Sequence, residues 1–252
     1  GTKNVAVGNL ALFSNTTASE NTAVGFEALR LNTTGSKNAS IGSGSLYHNT
    51  TGSKNASTGF KTLFANTTGA MNTASGYKAL AANTTASNST AVGACALYTN
   101  TTGPYNTAVG SDTLRANTTG CQNVAVGNLA LFTNTTGNSN TASGYRSLAG
   151  NTTGLWNTGI GNIALCSNTT GRDNVAVGSS PMSSNTTGCR NVGLGGLALN
   201  TNTSGCHNIA IGYDAEASSA SAVNQIVIGY GAVGLGDNQT VIGNTSTTGT
   251  TI

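Results

Sequence analysis

Apolar and polar positions recur in the chain with a period of 17 residues. Asn4, Asn21, Asn38, Asn55 and Asn72 keep that spacing, and so do Gly8, Gly25, Gly42, Gly59, Gly76 and Gly93, onward to Gly212. Counted from the leading Asn, the unit reads N-[TVA]-A-[VSI]-G-x-x-[AST]-L-x-x-N-T-T-G-x-x, in about a dozen consecutive copies without insertion or deletion. Equal length lets every copy form one coil of a superhelix, with each residue stacked on its equivalent one coil away. Seventeen residues are too few for a helical hairpin, and the spacing is not that of a leucine-rich repeat. The pattern therefore predicts an all-β fold, a parallel β-roll (β-solenoid) of short strands and tight turns.

The segments Val5-Ala-Val7, Val124-Ala-Val126, Val175-Ala-Val177 and Ile209-Ala-Ile211 alternate a larger apolar residue with Ala, as strands do. The expected orientation has positions 2 and 4 pointing inward and the small position 3 outward, with Gly at position 5 ending the strand. Position 9 is Leu in nearly every copy: Leu12, Leu29, Leu46, Leu63, Leu80, Leu97, Leu114, Leu131, Leu148, Leu165 and Leu199. So strict a ladder predicts burial, within one chain or between chains. The N-T-T-G run at positions 12 to 15 reads as turn chemistry, with Asn tolerating left-handed backbone, Thr hydroxyls bonding locally and Gly allowing positive φ.

Charge placement supports the same coil. Up to Gly212, charged residues fall only at position 7, at position 10 or at positions 16 and 17, which marks those corners as solvated. Charged residues make up only 7% of the chain and aromatics 5%, a composition closer to a fibre than to an enzyme. The net charge of +3 is dispersed over both signs without a basic cluster, which argues against a nucleic-acid partner. No apolar run approaches the roughly 20 residues of a membrane span. The first residue is Gly1 rather than Met, so the chain is expected to begin inside a longer protein.

Little in the sequence points to catalysis. There is no close carboxylate pair, no Cys/His or Ser/His/Asp constellation and no phosphate loop before a helix, so no enzyme activity and no cofactor are expected. Five cysteines without CxxC spacing and two histidines give little support for a metal site. Cys189 and Cys206 share position 16 on consecutive coils, which makes them a candidate disulfide beside the plainer reading of chance substitution at a Ser-rich corner. Position 17 varies most freely among copies. Trp156 and Tyr105 stand there as candidate receptor or carbohydrate contacts, against the plain reading of unconstrained turn residues.

Near the C-terminus the segments Asn224-Gln-Ile-Val-Ile-Gly229 and Asn238-Gln-Thr-Val-Ile-Gly243 are 14 residues apart. They resemble the head repeat of YadA-type trimeric autotransporter adhesins, N-S-V-A-I-G in 14-residue coils. The longer array is similar to that motif and to the N-T-A-V-G arrays of bacteriophage tail fibres, with three residues added in the N-T-T-G turn. The division expected is 1–212 as the 17-residue array and 213–252 as transition and 14-residue coils. The resemblance implies a left-handed roll assembled as a homotrimer, an extracellular place on a bacterial surface or virion tail, and attachment to a cell-surface receptor or glycan.

A thin single-chain core supports trimerisation on physical grounds, with the Leu ladder and the position 10 aromatics Phe13, Tyr47, Phe64, Tyr98 and Phe132 available for burial. The alternatives are an end-to-end self-assembling structural filament without a receptor, a monomeric solenoid, and an ice-binding solenoid built on the stacked threonines. Every N-T-T is also formally an N-glycosylation sequon.

Overall fold

The computed structural model describes residues 1–246. The last six positions of the 213–252 segment, 247–252, lie outside the described residues. Among those described, the fold is all-β with no helix: fifteen three-residue strands, parallel, each one coil from the next in sequence. The chain divides into two compact units, Gly1–Asn128 and Leu129–Ile252. The first holds β1 (Val5–Val7), β2 (Thr22–Val24), β3 (Ala39–Ile41), β4 (Ala56–Thr58), β5 (Thr73–Ser75), β6 (Thr90–Val92), β7 (Thr107–Val109) and β8 (Val124–Val126). The second holds β9 (Thr141–Ser143), β10 (Thr158–Ile160), β11 (Val175–Val177), β12 (Val192–Leu194), β13 (Ile209–Ile211), β14 (Ile226–Ile228) and β15 (Thr240–Ile242).

Within each unit the register steps by one coil, as in Val5↔Thr22 and Thr158↔Val175. The 17-residue step extends one coil past Gly212, since Ile209 pairs with Ile226, and only Ile226↔Thr240 takes the 14-residue step.

The orientation inferred from the alternation is inverted. Position 3 faces inward: Ala23, Ala91, Ala108, Ala125 and Ala176 are fully enclosed, while Val5, Ile41, Val109, Val126 and Ile160 at positions 2 and 4 are exposed. The reason is the thinness of the coil. Where position 3 is Gly159, an added Cβ would already lie 3.3 Å from Leu148 Cγ and 2.7 Å from Ser147 Oγ, so the interior admits little beyond a methyl group. Where Ser40 and Ser57 replace Ala, the position 8 residues of the same coils are polar and meet them: Ser45 Oγ donates to Ser57 Oγ at 2.7 Å, and Ser57 and Thr62 hydroxyls meet at 2.6 Å.

The Leu ladder lies inside its own chain, with every member from Leu29 to Leu199 at 0% exposure, Met182 taking its place in one coil and Leu12 at 9%. These leucines are therefore not available to another copy. Each has left-handed backbone, for example Leu80 at φ 51 and Leu97 at φ 51. Position 7 is left-handed as well, and the two sites bond in opposite directions along the stack: Glu27 N donates to Asn9 O on the preceding coil at 2.9 Å, and Leu29 N to Ser45 O on the following coil at 3.0 Å. Leu and Met tolerate that backbone better than β-branched residues. Val233, in the same column, is not left-handed and forms a parallel bridge with Glu216.

The N-T-T-G run is built differently from the turn that its composition suggests. Its Asn and Gly are not left-handed; positive φ falls at positions 5, 7, 9 and 17 instead. The position 12 asparagines from Asn32 to Asn202 are fully buried and form a ladder, in which Asn49 Nδ2 donates to Asn32 Oδ1, Asn66 Nδ2 to Asn49 Oδ1 and Asn83 Nδ2 to Asn66 Oδ1, each at 2.7 Å. The same Nδ2 atoms reach the carbonyl three residues on, as in Asn49 to Gly52 O at 2.9 Å. A second ladder runs through position 1, where Asn38 N donates to Asn21 Oδ1 at 2.9 Å and Asn38 Nδ2 to Gly52 O at 2.9 Å. Each rung thus satisfies the one before it, and among the described amides only Asn202 Oδ1, at the last rung of the position 12 ladder, is buried without a partner. The N-T-T asparagines from Asn32 to Asn185 are consequently closed to a sugar in the folded chain, while Asn15 is half-buried.

Candidate functional site

Trp156 and Tyr105 occupy the position 17 corner, 55% and 59% exposed, with φ of 55 and 60. The corner is left-handed in every coil from Lys3 to His207, a backbone that disfavours β-branched residues; it varies among Lys, Glu, Met, Tyr, Trp and Arg, and among the described left-handed positions a β-branched residue stands only at position 7, Ile163 at φ 57. Tyr105 belongs to the first unit and Trp156 to the second. Around Trp156 the backbone continues the stack, its N–H donating to Asn138 O at 3.1 Å.

All five cysteines are free thiols, so Cys189 and Cys206 are not joined. They are neighbours nonetheless: Cys189 N donates to Cys206 Sγ at 3.1 Å. Burial, followed by the thiol of Cys206, pushes the Cys189 pKa above 9.0.

Two surfaces escaped the sequence reading. The first is the outer face of the sheet. Ile41, Val92, Val109, Val126, Ile160, Ile211 and Ile242 at position 4 form columns of exposed apolar side chains, joined at position 2 by Val5, Val124 and Ile226. Parallel sheets are ordinarily covered on both faces, so a bare one asks for a partner. The alternation was visible in the sequence, but which half faced inward was decided by core width, which residue size alone did not reveal.

The second surface lies beyond the strand, where positions 6, 7 and 10 meet. Phe60 and Tyr77 stack with centroids 5.7 Å apart, and Tyr47 and Phe64 with centroids 5.2 Å apart. Lys61 Nζ sits 5.4 Å from the Phe60 centroid and 5.1 Å from that of Phe64, and Lys78 Nζ sits 5.1 Å from that of Tyr77. The side-chain hydrogen bond with Tyr77 raises the Lys78 pKa above 10.5. A cleft of about 260 Å³ opens here over Ala81 and Ala82. In the second unit a cleft of about 310 Å³ opens over Ala149 and Gly150. The signal in the sequence was the pair of near-identical coils Asn72-T-A-S-G-Y-K-A-L-A-A and Asn140-T-A-S-G-Y-R-S-L-A-G.

Among the described residues, no group of three or more His, Cys, Asp or Glu is placed to hold a metal ion. No helix there is long and apolar enough to cross a membrane. No family model matches the chain, and no curated protein matches it significantly.

Proposed function

We propose that the chain is part of an extracellular fibre, the shaft or head of a trimeric adhesin or tail fibre that mediates surface attachment and catalyses no reaction. The observation that carries this reading is the bare parallel sheet face, with Ile41 46% and Val126 42% exposed although within each unit one coil stacks on the next. Covering that face with further copies of the chain removes apolar area in almost every layer, on the order of 1 kcal/mol per coil at ~25 cal/mol per Å². Since the Leu ladder is spent on the core of each chain, positions 2 and 4 take over the interface role expected of it. The count of three rests on the resemblance to adhesin heads, whose chains run parallel, as a fibre rising from one base requires.

Charged substitution tests the interface. Val92→Lys with Val109→Lys places two ammonium groups on the outer face without touching the core, and is expected to yield folded monomers. Negatively stained images of the unmodified protein should show short, isolated particles of uniform width. Folded variants that keep the unmodified mass would refute the interface, and long end-to-end polymers of the unmodified protein would favour the filament alternative.

A further inference from the structure

The position 10 column places rings one coil apart, and Tyr47 stacks on Phe64 with planes 26° apart. The next member is Ala81 and the one after it Tyr98, so the stack skips a rung. The cleft of about 260 Å³ occupies that gap, with Phe64 and Tyr98 as walls, Ala81 as floor and Lys61 and Lys78 at the rim. Parallel strands lie ~4.8 Å apart, so walls two coils apart are separated by about 9.6 Å. A flat aromatic ring touching both walls accounts for only about 7–8 Å at ordinary carbon contact distances, whereas a puckered pyranose is thicker.

A related cleft lies 68 residues later in the chain, where Cys166 stands in place of Tyr98 and Leu129 in place of Lys61, leaving one aromatic wall and one cation. There the cleft of about 310 Å³ has Phe132 as a wall, Ala149 as floor, and Tyr145 and Arg146 at the rim. Neither cleft is lined by a carboxylate, and the three described ion pairs include none of its basic residues. An aromatic wall selects a ring face, and unneutralised cations select an anion on that ring.

We propose that these two clefts bind uronic-acid residues of an anionic polysaccharide, with the pyranose ring against Phe64 or Phe132 and its carboxylate toward Lys78 or Arg146. The open, shallow form of the clefts suits one residue of a long glycan whose other groups stay hydrated. The inference supplies a ligand class for the attachment reading but rests on the geometry of a single chain. A failure to bind leaves the oligomer mass standing, and a monomeric mass leaves the clefts intact.

The test is calorimetric titration of the intact protein with an oligogalacturonate of defined length, its fully methyl-esterified form, and benzoate. Saturable binding is expected for the oligogalacturonate alone. Ala81→Phe fills the rung between Phe64 and Tyr98, and Ala149→Phe extends the column from Phe132, each with a residue that position 10 already holds at Phe13, Phe64 and Phe132, so the fold is expected to be retained. This variant should lose affinity on the order of tenfold or more. Lys78→Gln with Arg146→Gln should weaken binding similarly while leaving the clefts open. Absence of saturable binding by the unmodified protein, equal binding of the methyl ester or of benzoate, or undiminished affinity in both double variants would overturn the proposal.

Discussion

Asn49 donates from Nδ2 to Oδ1 of Asn32 at 2.7 Å, and both side chains are wholly removed from water. Asn66 stands one coil further along the same ladder, giving a hydrogen bond to Asn49 Oδ1 and receiving one from Asn83 Nδ2. Asn66→Ala therefore strands an acceptor on one side and a donor on the other, at an expected cost of about 2–4 kcal/mol. Chemical denaturation measures it, and a loss below about 1 kcal/mol would mean that the ladder contributes geometry with little stability.

The Leu ladder makes an unusual demand on backbone. Leu97 is buried at φ 51, so Leu97→Ile, normally a mild exchange, places a β-branched residue in left-handed conformation. The expected loss is about 2–3 kcal/mol, combining backbone strain with repacking, against less than about 1.5 kcal/mol for Leu97→Met. Equal stabilities for the two variants would contradict the role assigned to the backbone.

Gly76 couples neighbouring coils through close approach. Its φ is +129, and an added Cβ would lie 2.6 Å from Gly93 O. Gly76→Ala thus meets both a disfavoured conformation and a backbone collision, and a loss above about 3 kcal/mol is expected from thermal unfolding. A variant that unfolds within a degree or two of the unmodified protein would show that the stack opens easily at this turn.

Glu216 stands where the Leu ladder ends. Burial pushes its pKa above 4.5, and the hydrogen bonds from Thr201 N and Oγ1 at 3.2 and 2.9 Å oppose that rise. A raised carboxyl pKa favours the protonated form in the folded chain, so its stabilising contribution is full below pH 4.5 and is lost as pH rises through the folded value. Glu216→Gln should flatten that decline in the window just above pH 4.5. Denaturation midpoints followed across pH report it, and identical slopes in the two proteins would contradict the burial effect.

The coil was legible in the sequence because its period is strict. Asn4 and Gly8 set its length, and Leu29 to Leu199 marked its core. What period alone did not reveal was direction. Ala at position 3 looked like an outward filler beside Val, yet the interior is so narrow that only Ala, Ser or Gly fits through most of the array. The N-T-T-G run was misread for a related reason: Asn commonly serves turns, but two amide ladders are what hold these carboxamides in place. Trp156 and Tyr105 drew attention as large residues at a variable corner, whereas the clefts depend on small residues beside rings, Ala81 between Phe64 and Tyr98 and Ala149 next to Phe132. A missing side chain carries meaning only once its stacked neighbours are in place.

The mass of the unmodified protein in solution bears most directly on the fibre reading. For a chain of 24.9 kDa, sedimentation equilibrium is expected to give about 75 kDa, independent of concentration over the micromolar range. A single species at 24.9 kDa would leave the apolar sheet face bare in water and would contradict the account.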